Sequence, residues 1–573
     1  MTTDLGCVNL RWALALFDGL IAGGMRQLVL SPGSRSTPLV LAAQRQPAVT
    51  VTPIVDERSA AFVALGMARA SRRPVGVLCT SGSALAHWLP AVIEAAESEI
   101  PLLLLSADRP PELRGWGANQ TIDQTRLFGV QVRAFYDPGT PEATPLALKQ
   151  IRALGRRAAA ESLGAWPGPV HLNLPFREPL VPEPSCQAAP EPQPPLALSD
   201  SADSLPSAIP AQARHALQHF TRHSGHGLIC CGPGQWSAAG AAALWQAAAR
   251  LGVPVLCDPL SGLRFGAASP ARITRYDSFL RHPTTATALK PAWVLRIGRA
   301  PVSKTLLSWL AEVPTLLVST SGSWSDPNYD VQQKLALDPA TVCAWLAAES
   351  EINAADRAWL AAWRTAEQHI AQLAADYLAH APWCEGQLIG ELIAQLPADD
   401  GLLCANSMPI RQLDTWSGAR AQSLRLFGNR GASGIDGQAS TLAGLNAAGT
   451  PTTALLGDLS LLHDLSGLLA WRALERPGIV LNNGGGRIFD YLPQYGLPEF
   501  TTLWRTPIDI AFKDLARTFG LAHRQVSDGV GFRQALAESL QPQQPAGLIE
   551  VVIDGDVSRQ THQGFWRVVR GEV

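Results

Sequence analysis

From Gln27 onward the chain alternates short, continuous apolar runs with longer stretches whose apolar positions recur at helical spacing. "QLVLS", "VTPIV", "VGVLCT" and "PLLLLSA" read as strands, while "ERSAAFVALGMARAS" and "SALAHWLPAVIEAAES" read as the helices between them. Strands that are apolar at every position are buried on both faces, as in a parallel sheet covered by helices. "GPVHLNLP", near residues 168–175, closes this first block. Ahead of it, "NLRWALALFDGLIAGG" reads as an amphipathic helix stopped by Gly23-Gly24.

The pattern breaks between Val181 and Ala213, a stretch rich in Pro, Ala and Ser without periodicity, which reads as a linker. A second α/β block follows, with "GLICCGPG", "VPVLCD", "WVLRIG" and "PTLLVS" as strands. Helical sequence from about Ala340 to Leu396 leads into a third block, whose strands are "GLLCANS", "TTALLGD", "GIVLNN" and "GLIEVVID". The expected architecture is α/β, with three successive doubly wound parallel-sheet domains over residues 1–180, 214–350 and 351–573 and the linker at 181–213. No short-period repeat is present, and the first and third blocks are candidates for a shared fold.

Composition narrows the class. With 573 residues the chain is too long for one core, and 47% hydrophobic with 16% charged residues is an ordinary globular balance. Lys+Arg 46 against Asp+Glu 48 lacks the basic excess of a nucleic-acid binder. The nine cysteines lack paired-ligand spacing, so neither a zinc site nor a disulfide framework is expected, and a reducing cytoplasm is the simplest compartment. The N-terminal apolar segment follows Asp4, is interrupted by Asp18 and has no basic lead, so it does not read as a signal sequence; no membrane span is expected.

Chemistry concentrates where strands end. In open parallel sheets ligands gather at the carboxyl ends of strands, and Asp458 and Asn483 both fall at such ends. A carboxylate and a carboxamide oxygen suit Mg²⁺, which takes a few protein oxygens and completes its shell with phosphate and water. The helix opening after Asp458 favours an anion at its amides, and the glycines after Asn483 allow a main-chain carbonyl to approach. The same residues also suit ordinary turn chemistry, and spacing does not choose between the two readings. Glu57 stands where a strand passes into a helix; it is either an acid favoured by the helix dipole or a partly buried proton holder. Arg35, Arg109, Arg411 and Arg430 lie in strand-end loops, with Arg35 and Arg109 expected in one crevice. Together they suit carboxylate recognition, although each alone also reads as a solvated loop residue. His87 and His463 have no partner or spacing that recommends them as ligands, and no Gly-x-Ser-x-Gly elbow or P-loop occurs.

These residues together resemble thiamine-diphosphate-dependent enzymes, and within them the 2-succinyl-5-enolpyruvyl-6-hydroxy-3-cyclohexene-1-carboxylate synthase family of menaquinone synthesis. "SPGSRSTPL", "DERSAAFVALGMA", "SADRPPELRGWGANQTIDQ" and "NRGASGIDG" carry the specific likeness, and "GDLS … NNGGGRIF" is shared more widely. The resemblance implies a pyrimidine-binding first domain (Pyr), a mainly scaffolding central domain and a diphosphate-binding third domain (PP). It also implies a homodimer or homotetramer with active sites between subunits. It implies Asp458, Asn483 and the Gly485 carbonyl as ligands of Mg²⁺, with Mn²⁺ as a substitute. Gly457, Leu459 and Ser460 then lie beside the diphosphate, and Ile435 is the apolar wedge that bends the cofactor. Glu57 is implied as the catalytic glutamate that hydrogen-bonds the pyrimidine ring and promotes its proton-accepting imino form. The implied reaction decarboxylates 2-oxoglutarate and adds the succinyl unit to isochorismate by conjugate addition. Ser34, Arg35, Arg109, Gln120, Lys304, Ser407, Arg411 and Arg430 match substrate-binding positions, with Ile488, Phe489 and Leu492 as an apolar wall. Leu459 replaces the glycine usual in the wider superfamily, and Thr305 stands where some members carry a second basic residue.

Overall fold

The computed structural model describes residues 4–195, 209–222, 226–349, 357–542, 544 and 547–572. Part of the Pro-rich stretch, residues 196–208, and residues 350–356 of the expected helical lead-in lie outside the described residues. Three six-stranded parallel sheets form, as the continuous apolar runs require. The first holds β1 (Gln27–Leu30), β2 (Thr50–Pro53), β3 (Val75–Cys79), β4 (Leu102–Asp108), β5 (Ala134–Tyr136) and β6 (Val170–Pro175). The second holds β7 (Gly227–Cys231), β8 (Val255–Cys257), β9 (Arg272–Ile273), β10 (Trp293–Ile297), β11 (Thr315–Val318) and β12 (Val331–Leu335). The third holds β13 (Gly401–Cys404), β14 (Arg425–Phe427), β15 (Thr452–Gly457), β16 (Gly478–Asn482), β17 (Ala522–Val526) and β18 (Gly547–Val552).

Strand order confirms that the first and third blocks share a fold. The first sheet runs β2-β1-β3-β4-β6-β5 and the third β14-β13-β15-β16-β18-β17, the same permutation in each. The second runs β12-β11-β10-β7-β8-β9, the order of dinucleotide-binding sheets. In the first and third sheets the order reverses between their first and third strands. The loops after β1 and β3, and after β13 and β15, therefore flank a crevice at the carboxyl edge.

Packing groups the described residues into two compact units. One lies within residues 1–199 with 429–452 and 460–474; the other lies within 200–428, 453–459 and 475–573. In the first unit the helix Gln438–Ala447 lies against the helix Glu57–Ser71 at backbone distance. A Cβ on Gly444 would stand 2.0 Å from the Val63 carbonyl oxygen, and one on Gly66 2.3 Å from that of Thr441, so only glycine fits. In the second unit the second and third sheets share one apolar core, running from Leu228 and Val294 through Trp363 and Leu392 to Leu455 and Phe565.

Three expectations change. The N-terminal helix, Leu5–Ala22, is not amphipathic at a surface but buried almost all round, with only Arg11 exposed. It is also long and apolar enough to cross a membrane, against the expectation that no run was, yet 72% of it is buried within its own unit, as core helices are. Cys7 on this helix forms a disulfide with Cys186, so the expected absence of disulfides does not hold. The partners stand 179 residues apart, a pairing that spacing along the chain does not disclose. The other seven cysteines are free and buried.

Candidate active site

At the carboxyl edge of the third sheet, β15 and β16 pair from Ala454↔Gly478 to Gly457↔Leu481, so Asp458 and Asn483 follow adjacent strand ends. Asp458 opens the short helix Asp458–Leu462 and is 2% exposed. Its Oδ1 accepts from the Leu459 amide at 2.7 Å, and its Oδ2 from the amides of Gly484 at 3.1 Å and Gly485 at 2.8 Å. Burial pushes its carboxyl pKa up, while these amides pull it the other way. Among the described residues no basic side chain pairs with it. A buried carboxylate compensated by amides alone leaves room for a cation.

Asn483 is oriented by what it donates to. Its Nδ2 reaches Glu385 Oε1 at 3.3 Å, leaving Oδ1 as the acceptor turned elsewhere. Glu385 is 1% exposed, and its other oxygen accepts from the Ser558 hydroxyl. Arg487 fixes the following loop: its Nε donates to the Asn483 carbonyl at 2.7 Å and its Nη1 to Asp490 and Asp556. Gly485 has φ 106, and a Cβ there would lie 2.4 Å from the Arg505 carbonyl oxygen, so the close turn demands glycine. The Gly485 carbonyl accepts from the Arg487 amide at 2.8 Å and keeps a second lone pair. Carboxylate, carboxamide and carbonyl oxygens in this arrangement fit a hard divalent cation such as Mg²⁺.

The second unit also holds a cavity of about 1120 Å³. It gathers Lys304, Arg411, Ile488 and Leu492 from the residues expected to meet substrate. Ser407 and Phe489 are not among its walls; Ser407 instead takes φ 70 and accepts from Arg411 through its carbonyl. Sequence reasoning missed Arg281, Arg559, Arg567 and Arg570, which also line it. A signal for three of them exists, since Arg559, Gln563, Trp566, Arg567 and Arg570 fall on one face at helical spacing near the chain's end. Arg281 lies 4.4 Å over the Trp566 ring and Arg559 4.5 Å over that of Tyr495, so aromatic faces hold part of this basic wall.

In the first unit, Glu57 begins the helix Glu57–Ser71, but the capping falls to Asp56, whose Oδ1 accepts from the amides of Arg58 and Ser59. The half-buried Glu57 carboxylate has no hydrogen bond among the described residues. It lies near the end of β3, where burial first and its charge second push the Cys79 thiol up. Arg35 and Arg109 do converge: burial first, then the Arg35 charge, holds the Arg109 guanidinium below its usual range. Arg35 is no solvated loop residue. It is 5% exposed, donates to the Phe176 carbonyl at 2.9 Å and pairs with Glu178 at 2.7 Å. Arg109 donates to the Ser81 hydroxyl, and Gln120 Nε2 to the Ser81 carbonyl at 2.9 Å, so both hang on the loop after β3. Ser34 is exposed on the loop after β1. Glu94, 3% exposed, holds the "NRGASGIDG" loop through the amides of Gly431 at 2.9 Å and Ala432 at 2.8 Å, and thereby carries half-buried Arg430 and Ile435. On the helix Asp458–Leu462, Ser460 is buried and Leu459 half-buried; Gly457 ends β15. His87 and His463 are exposed and join neither group.

Comparison with known proteins agrees with this architecture. Residues 11–127 match the thiamine pyrophosphate enzyme N-terminal TPP-binding domain, and residues 206–404 match the middle domain of thiamine pyrophosphate enzymes. The chain is 39% identical over 577 residues to the 2-succinyl-5-enolpyruvyl-6-hydroxy-3-cyclohexene-1-carboxylate synthase of Geobacillus thermodenitrificans, covering 98% of this chain and 97% of that protein. It is 40% identical over 541 residues to that of Dechloromonas aromatica (93% and 97%) and 40% over 573 residues to that of Chloroflexus aurantiacus (97% and 96%). With the strand orders, the oxygen-donor set and near full-length identity in agreement, the chain belongs to the 2-succinyl-5-enolpyruvyl-6-hydroxy-3-cyclohexene-1-carboxylate synthase family of thiamine-diphosphate enzymes.

Proposed function

We propose that this protein is the Mg²⁺-dependent carboligase that decarboxylates 2-oxoglutarate and adds the succinyl unit to isochorismate in menaquinone biosynthesis. The observation that carries the reading is the buried Asp458 carboxylate, held by amides and without a basic partner among the described residues, beside an asparagine whose carboxamide oxygen is left over. Asp458, Asn483 Oδ1 and the Gly485 carbonyl would hold Mg²⁺, with Gly457, Leu459 and Ser460 beside the diphosphate. When bound, thiamine diphosphate supplies the carbon nucleophile and the electron sink for decarboxylation and carbon–carbon bond formation.

The remaining work falls to this chain's side chains. Glu57 is proposed to hold a proton against a pyrimidine ring nitrogen, a role that suits a half-buried carboxylate with no hydrogen-bond partner among the described residues. Ile435 would wedge the cofactor into a bent form. Both substrates carry two carboxylates. Lys304 and Arg411, in one cavity with further arginines, and Arg35, Arg109, Gln120, Ser34, Ser407 and Arg430 are proposed to bind them. Ile488, Phe489 and Leu492 would exclude water from the reacting carbons. Residues 1–180 serve as the pyrimidine-binding domain, 181–213 as linker, 214–350 as the central domain and 351–573 as the diphosphate-binding domain, in a homodimer or homotetramer with sites between subunits. A cytoplasmic location is proposed, in keeping with seven free thiols among nine cysteines.

The test incubates purified protein with Mg²⁺, thiamine diphosphate, 2-oxoglutarate and isochorismate. Isochorismate absorbance is expected to fall; no change with cofactor bound would sink the reading. Pyruvate turned over as fast as 2-oxoglutarate would favour a monocarboxylate carboligase instead, which the basic cavity argues against. Glu57→Gln should retain cofactor while decarboxylation drops by about 10²–10⁴-fold.

A further inference from the structure

One side chain on the cavity wall has its hydrogen-bond polarity set by two residues behind it. Tyr491 ends the turn Arg487–Tyr491 and lines the cavity together with Lys304, Arg411 and Ile488. Its hydroxyl oxygen lies 3.1 Å from His562 Nδ1, and His562 Nε2 lies 3.1 Å from Trp416 Nε1. An indole N–H can only donate, so Nε2 of His562 must accept. A neutral imidazole that accepts at Nε2 carries its proton on Nδ1, so His562 donates to the Tyr491 oxygen. His562 is 2% exposed; burial holds its pKa below the usual value, and burial pushes the Tyr491 phenol up, which keeps both groups neutral near pH 7.

The consequence is directional. With its oxygen already accepting from His562, the Tyr491 hydroxyl keeps its own proton for another acceptor, and no described residue supplies one. We infer that Tyr491 is a substrate-binding donor whose hydroxyl proton meets a carboxylate of the dicarboxylate held in this cavity. Trp416 and His562 are positioning residues that keep the proton pointed there. The inference rests on the proposed function, which puts the dicarboxylates in the same cavity.

Tyr491→Phe keeps the ring against Trp566, 5.7 Å away, and removes only the hydroxyl. The expected result is a KM for 2-oxoglutarate or isochorismate raised about 10–100-fold, the scale of a hydrogen bond to a charged group. The kcat should stay within about twofold and thiamine diphosphate affinity should not change. Trp416→Phe frees His562 Nε2, so the imidazole can take its other tautomer and Nδ1 can accept the Tyr491 proton. The same KM should rise, by less, and the change should vanish when Trp416→Phe is added to Tyr491→Phe. Independent addition of the two effects would point to packing alone and overturn the positioning roles. Unchanged KM values for both substrates in Tyr491→Phe, with the wild-type enzyme active, would overturn the inference and leave the proposed function standing. A wild-type protein that consumes neither substrate would bring down the proposed function and this inference together.

Discussion

The first and third sheets have one strand order and treat a buried acid at the carboxyl edge in opposite ways. β3 and β4 occupy in the first sheet the places that β15 and β16 occupy in the third. At the end of β4, the counterpart of β16, the buried Asp108 is fully engaged: Arg114 reaches it at 2.8 Å, Asn173 at 2.9 Å and the Arg109 amide at 2.7 Å. Around it Ser106, His171 and Asn173 of the sheet and Gln124 of the segment between β4 and β5 bond to one another. After β15, the counterpart of β3, the buried Asp458 meets only amides among the described residues. The first sheet thus closes its acid into a protein network and offers Arg109 and the Ser81 loop at the edge. The third leaves its acid open to a cation. One topology builds both, so the shared crevice is a property of the backbone and the ligand class is a property of a few side chains.

The contrast has consequences that can be measured. Asp458→Ala should have the largest effect, lowering Mg²⁺-dependent thiamine diphosphate affinity by more than about 100-fold in titration calorimetry, because a proposed metal ligand is lost. Asp108→Asn should leave that affinity intact and instead destabilise the fold by about 1–3 kcal/mol in denaturant unfolding. If the two substitutions affected cofactor binding alike, the distinction between closed and open acids would be wrong. Next, Glu385→Met should weaken Mg²⁺ binding by about 10–100-fold although Glu385 is not a proposed ligand, since Asn483 would lose the partner that orients its carboxamide. Unaltered metal affinity there would mean that Asn483 is held by its loop alone.

The smallest effect is on pH dependence in the first sheet. Burial holds the His171 imidazole down at about 3, below the usual histidine value of 6.5. Between these values the unfolded chain binds the proton and the folded chain does not. The stabilisation is therefore complete above about pH 6.5 and lost progressively as pH falls toward 3. His171→Phe should flatten that part of the melting temperature profile between pH 7 and 4. An identical slope in wild type and variant would assign the acid sensitivity to other groups.

Which strands were legible follows from where they lie. β1, β3 and β4, and β13, β15, β16 and β18, announce themselves as largely continuous apolar runs because helices cover both faces of the sheets, while β6 sets the buried His171 and Asn173 between its apolar residues. The strands not read from the sequence are β5, β9, β12, β14 and β17, and all five are edge strands. "VQQKL" and "AHRQV" are mostly polar because an edge strand is only partly covered, so burial does not enforce a pattern on it. The segment 83–98 reads as one helix, whereas the structure has a 3₁₀ turn at Ala84–Trp88 before the helix Leu89–Ser98, with Pro90 in its first turn.

By itself the sequence determined the α/β class, the central strands and the strand-end positions of Glu57, Asp458, Asn483, Arg35, Arg109 and Arg430, whereas Arg411, expected in a loop, lies on the helix Met408–Trp416. Those are local consequences of apolar runs and of the residues that interrupt them. The tertiary structure alone decided what each polar group faces. It turned Arg35 inward to Glu178, bonded Cys7 to Cys186, set Glu385 behind Asn483 and brought the arginines of the last helix beside Lys304. Each of these pairs residues far apart along the chain, and no local pattern encodes them, because periodicity reports which face is buried and not which partner lies against it.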